Sequence, residues 1–388
     1  MFSTRTRFEL RPNRLAGLLA SRRAQGAPLF DLTESNPTRC ALPYPEDLLA
    51  PLAEPGGLVY EPNPWGLLRA REAVAADFAR RGFAVEPDRL LLTASTSEAY
   101  AFLFKLLCDP GDEVLVPRPG YPLFEYLAGL ESAEVRAYPL EYDGEWRHDP
   151  AALEAALTPR TRAIVLVNPG NPTGSYLKRA EAERLFDVAA ARGLAVISDE
   201  VFADYAFGPD PRRLASVAGD GPALSFALGG LSKSCGLPQL KLGWLAVSGP
   251  EPLRRVARAR LEIIADSFLS VGTPVQRAAP ALLARLPELQ TPIRSRVCGN
   301  RERLRGLLGR SSPATLLNGE GGWYAVLRIP ATLPEEERVL RLLATGDVLV
   351  HPGYFFDFPR EAHLVLSLLP AEAGFATGVE RVLADLVL

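Results

Sequence analysis

Lysine is scarce in this chain: of 43 basic residues only four are lysines, Lys105, Lys178, Lys233 and Lys241, and two of those fall within one short segment. Cysteine is too sparse for a disulfide frame. Cys40, Cys108, Cys235 and Cys298 form no close pair, which also argues against a zinc site and suits reduced thiols in a cytoplasmic protein. The three histidines, His148, His351 and His363, lack metal-ligand spacing, so no metal is expected. The formal net charge is −3 with no block of like charge, so neither nucleic acid nor membrane is expected as the main partner. No apolar run approaches the roughly 18 residues that span a bilayer.

What is present is ordinary globular material. Apolar residues make up 47% and charged residues 23%, and 388 residues favour two or three structural units. The arginine-rich start, Arg5 to Arg23, has the composition of a transit peptide, but Leu15, Leu18 and Leu19 are helically spaced and place it in a short basic helix. Further on, helix and strand signals alternate. Leu67 to Arg81, Glu98 to Leu107 and Arg179 to Arg192 have helical spacing. Arg89 to Thr93, Glu113 to Val116, Ala163 to Val167, Leu194 to Ile197 and Leu224 to Ala227 read as short buried strands. Such alternation predicts an α/β fold, a mainly parallel sheet covered by helices. A helix from Glu251, helices after Pro274, and mixed signals at Trp323–Arg328, Val348–His351 and His363–Leu368 predict a smaller second α/β domain. The expected division is an N-terminal arm and small-domain segment at 1–45, a large domain at 46–280 and a small domain at 281–388.

Ligands in open α/β sheets bind beyond the carboxyl ends of the strands. There the chain places Asn168-Pro-Gly-Asn171-Pro-Thr-Gly174, Ser198-Asp199-Glu200, Ser232-Lys233 and Thr93-Ala-Ser95-Thr96-Ser97, the last opening a helix. One amide, one carboxylate, one lysine and one hydroxyl-rich helix N-terminus thus converge. Taken singly, these are turns and caps; in this order and spacing, with Ser232-Lys233-x-x-Gly236-Leu237, they resemble the class I and II aminotransferases of pyridoxal-phosphate fold type I over nearly the whole chain.

The resemblance implies pyridoxal 5′-phosphate held as a Schiff base on Lys233, which then moves the α-proton. It implies Asp199 on the pyridinium nitrogen, Asn171 on the phenolate oxygen, Tyr121 stacked on the ring, and Ser95, Thr96, Ser97 and Lys241 around the phosphate. Tyr60 matches a tyrosine that reaches the neighbouring subunit's phosphate, which implies a homodimer. The expected activity moves an amino group from an amino acid or amine to a keto acid. A carbon–sulfur lyase or decarboxylase of the same fold is the alternative, and pyruvate released without an acceptor would mark the lyase.

Four positions depart from the family pattern. Phe202 replaces a tyrosine whose hydroxyl bonds the phenolate, which should raise the pKa of the Schiff base. Gly230 replaces a serine on the phosphate, and Lys241 an arginine, exchanging a bidentate fork for a point charge. Val365, in His363-Leu-Val-Leu-Ser367, stands where an arginine clamps the substrate carboxylate; Arg39 and Arg328 are the candidate substitutes. Asp266 lies where aspartate aminotransferases supply an arginine for a distal carboxylate. It reads either as a group that disfavours acidic substrates or as an ordinary exposed acid near a helix end.

Overall fold

A computed structural model describes residues 1–309 and 312–387. The sequence's run of short apolar segments forms an eight-stranded sheet. Its strands are β1 (Leu90–Thr93), β2 (Glu113–Arg118), β3 (Glu134–Tyr142), β4 (Trp146–His148), β5 (Thr161–Val167), β6 (Ala195–Asp199), β7 (Ser225–Gly230) and β8 (Gly243–Ser248). Their spatial order is β1-β8-β7-β6-β5-β2-β3-β4. Strands β7, β6, β5, β2 and β3 pair in parallel; β8 runs against both its neighbours, and β4 closes one edge antiparallel. All residues of β6, β7 and β8 are buried, as strands covered on both faces by helices must be.

Several expected boundaries move by a residue or more, and two of the changes have a clear cause in the strand pairing. Strand β2 continues through Pro117 to Arg118, because its ladder with β5 ends at Leu115 and the proline's missing N–H interrupts no hydrogen bond on that side. The segment Val348–His351 divides: Val348–Leu349 pairs in parallel with Phe30–Asp31, while His351–Pro352 joins a second sheet. That four-stranded sheet has the order β9-β10-β12-β11, from Thr315–Leu316, Tyr324–Arg328, His351–Pro352 and His363–Ser367. A separate apolar core joins its inner face to Leu15, Leu32 and Leu42 near the N-terminus and to the helices Leu286–Leu308 and Glu372–Asp385. The basic segment at the start forms the helix Arg14–Ala24, capped by Asn13 and buried through Leu15. No helix among the described residues is long and apolar enough to cross a membrane.

Candidate active site

The carboxyl ends of β1, β5, β6 and β7 open into one cavity of about 330 Å³, lined among others by Ser95, Thr96, Ser97, Tyr121, Asn171, Asp199, Lys233 and Lys241. Strand β8 explains how Lys241 arrives there. It runs antiparallel, so its leading end, with Gly243 opposite both Thr93 and Gly230, lies at the edge where its neighbours finish. Eight of the nine expected site residues thus line one cavity. The ninth, Tyr60, is 71% exposed and borders a separate small recess with Glu61, Leu269 and Ser270.

Lys233 sits in a single helical turn, Leu231–Ser234, directly after β7. Its ammonium lies 5.0 Å from the Trp323 ring centroid and 5.5 Å from that of Phe202. Burial lowers its pKa to about 8, against the pull of Asp199. The turn is held by Tyr205, whose hydroxyl donates to the Lys233 carbonyl at 2.7 Å. Asp199 ends β6 in a buried position, where it accepts from Val201 N–H at 3.2 Å and from the Tyr100 hydroxyl at 3.4 Å. Burial raises its carboxyl to about 6, although these hydrogen bonds and Lys233 oppose the shift. Tyr121 is pushed up to about 12, by burial first and the Asp199 charge second, and so remains a neutral phenol.

Asn171 hangs from a loop with cis bonds at Asn168-Pro169 and Asn171-Pro172. Its Oδ1 is buried without a partner among the described residues, so its amide is unspent inside the cavity. Ser95 caps the helix Thr96–Leu107, accepting from Glu98 N–H at 3.2 Å, and the first-turn N–H groups of that helix face the cavity end. Lys241 is exposed, in a left-handed conformation at φ 53°, and makes no ion pair with the described carboxylates. A helix N-terminus beside a free ammonium attracts an anion such as phosphate. A buried acid for a cationic ring nitrogen, an unspent amide and a lysine with lowered pKa complete the requirements of pyridoxal phosphate. The residues present fit the group.

The departures acquire physical reasons here. A Cβ at Gly230 would lie 3.1 Å from both Gly243 Cα and the Leu242 carbonyl, so β7 and β8 approach too closely for an easy serine. Phe202 packs edge-on against Trp323 at 5.3 Å, its ring filling the wall beside Lys233. Val365 is wholly buried in the middle of β12, with Val326 and His351 as its cross-strand partners. Arg39 and Arg328 are both exposed, and neither lines the cavity. Asp266 is exposed at the end of the helix Glu251–Asp266. Ser35 and Tyr324 line the cavity and Trp323 approaches Lys233, none of them singled out by the sequence. Trp323 and Tyr324 fall inside an expected strand, but no local pattern tells which of its ends meets a ligand.

Comparison with known proteins agrees with this chemistry. A family model for class I and II aminotransferases matches residues 40–372. The chain is 28% identical over 370 residues to an alanine aminotransferase of Mycobacterium bovis, covering 92% of this chain and 85% of that protein. It is 33% identical over 226 residues to the S-alkyl-thiohydroximate lyase SUR1 of Arabidopsis thaliana, covering 56% of this chain and 48% of that protein. In fold it is similar to the alanine aminotransferase structure from Pyrococcus furiosus, with a TM-score of 0.88, 24% identity and 98% of each chain covered. With the family match spanning most of its length, this chain belongs to the class I and II aminotransferases, pyridoxal-phosphate-dependent enzymes that transfer amino groups.

Proposed function

We propose that this cavity moves an amino group between an amino acid or amine and a keto acid, with Lys233 both holding the cofactor and moving the proton. The observation that carries the reading is the meeting of Lys233, Asp199 and the unspent amide of Asn171 in one cavity. When bound, the cofactor supplies an electron sink for bond breaking at the substrate α-carbon. Lys233 would hold its aldehyde carbon covalently. The Lys233 amine, whose pKa burial brings down toward neutrality, would also be the group that carries the α-proton. Asp199 would keep the proton on the ring nitrogen, Asn171 would donate to the phenolate oxygen, and Tyr121 would cover the ring. Ser95, Thr96, Ser97 and Lys241 take the phosphate.

The working unit in this proposal is a cytoplasmic homodimer, each chain divided near residues 45 and 280. Exposed apolar side chains support self-association: Leu58 at 92% exposure, Val59, Tyr60, Ile263 at 71% and Phe268. Tyr60 then serves the partner's phosphate, consistent with its place outside the cavity of its own chain. Lys233→Ala tests the core of the reading. Borohydride reduction followed by mass spectrometry should label Lys233 in the wild type, and the variant should lose turnover by several orders of magnitude. A variant with wild-type absorption and full activity would reject it.

A further inference from the structure

Two residues of the cavity wall come from the side of the small sheet, Ser35 and Tyr324. Tyr324 opens β10 opposite Ser367, and the Ser367 N–H donates to the Leu32 carbonyl at 2.7 Å, which draws the segment carrying Ser35 alongside. Both side chains present hydroxyls. Burial raises the Tyr324 phenol; its hydrogen bond with the Ser35 hydroxyl opposes the shift and the Glu34 charge adds to it, so the two hydroxyls form one neutral pair that must open toward a substrate. The surrounding charge is negative or absent. Glu34 precedes Ser35, accepts from Asn36 N–H at 2.8 Å and has no ion pair among the described residues. Val365, Val326 and Phe356 behind the wall are apolar. The only described cations that line the cavity are Lys233 and Lys241, both engaged with the cofactor in the function proposed above.

A carboxylate brought to this wall would leave water for neutral donors beside an unpaired acid, a poor exchange for a full charge. We propose that Ser35 and Tyr324 determine specificity by gripping the group beside the reacting carbon through neutral hydroxyls. The site then takes amino substrates in which that group is an uncharged carboxamide, ester or alcohol about as well as those in which it is a carboxylate. This inference rests on the amino-transfer reading of the cavity.

The experiment uses the holoenzyme and matched pairs, alanine with alaninamide and phenylalanine with phenylalaninamide. Each half-reaction is followed by the absorption of the bound cofactor. For the faster-reacting pair, the acid-to-amide ratio of second-order rate constants should stay below about thirty, the least that losing a buried charge pair is expected to cost. Equilibrium titration with 3-phenylpropanoate and 3-phenylpropanamide should give dissociation constants in the same proportion. Tyr324→Phe and Ser35→Ala should each slow acid and amide alike, by about fivefold for a lost neutral hydrogen bond. A ratio above thirty, or a variant that slows the acid alone, overturns the proposal. Borohydride labelling of Lys233 separates the two levels. With Lys233 labelled and the ratio high, only this inference falls; with Lys233 unlabelled, or with neither member of any pair reacting, the amino-transfer reading falls and takes the inference with it.

Discussion

Asp199 shows how a single side chain is tuned by where its strand ends. Its carboxyl is raised from 3.8 to about 6 chiefly by burial. Between those two values the folded state keeps a proton that the unfolded chain has released. Stability therefore falls as pH rises through that window and stays lower above it. Asp199→Asn, neutral at every pH, is expected to stabilise the cofactor-free protein by about 3 kcal/mol at neutral pH and to make much less difference near pH 4. The same variant should release cofactor more readily if, as proposed, Asp199 is the charged partner of the ring nitrogen. Thermal melts of cofactor-free protein at both pH values, with a dialysis assay of the holoenzyme, measure this; equal melting at neutral pH would show that burial does not disfavour the charge. At this scale the placement was legible in sequence, since Asp199, Asn171, Lys233 and the Ser95–Ser97 cap each follow a recognisable strand and line one cavity. The pKa shifts of Asp199 and Lys233 were not, because the burial that causes them comes from other elements.

Among the elements, the link between the two sheets depends on close backbone approach. A Cβ at Gly174 (φ 67°) would lie 2.5 Å from the Gly321 carbonyl, and one at Gly321 2.8 Å from the Tyr205 carbonyl. Only glycine allows the Gly319–Gly322 linker to pass between the Asn171 loop and the segment beneath Lys233. Glu320, between those glycines, fastens it. Its largely buried carboxylate pairs with Lys178, accepts from Tyr176 N–H at 3.1 Å and lies 3.6 Å from Arg213. Glu320→Ala would leave buried Lys178 with only a 3.9 Å approach to Asp210, and should destabilise the protein by about 3 kcal/mol. Replacing both partners by apolar residues, Lys178→Met with Glu320→Leu, should recover more than half of that loss in urea unfolding. A single variant as stable as wild type would show that the pair is not a fastening. Sequence periodicity found the helices and the buried strands on either side of this link. The linker itself escaped it, because its glycines are required by contacts across some 145 residues of chain.

For the whole molecule, the exposed apolar residues Leu58, Val59, Tyr60, Ile263 and Phe268 all lie outside the cavity. Ile263→Glu would bury a carboxylate in an apolar contact, and should weaken self-association by about thirtyfold. Cofactor retention should fall with it if Tyr60 works across the contact. Sedimentation over a range of protein concentrations checks the first effect, and a wild type that stays monomeric at high concentration would remove the dimer from the proposal. What the sequence determined by itself was the α/β class, the parallel sheet and the amide, acid, lysine and helix cap at its carboxyl edge, because strand periodicity and strand-end residues are local in the chain. Tertiary structure alone decided that antiparallel β8 delivers Lys241 to that edge and that β7 and β8 leave little room for a serine at Gly230. It also decided that Ser35 and Tyr324 line the cavity while Val365, Arg39 and Arg328 do not. Those outcomes depend on the pairing of residues far apart in sequence, and no local pattern encodes which side chain such pairing turns toward the cavity.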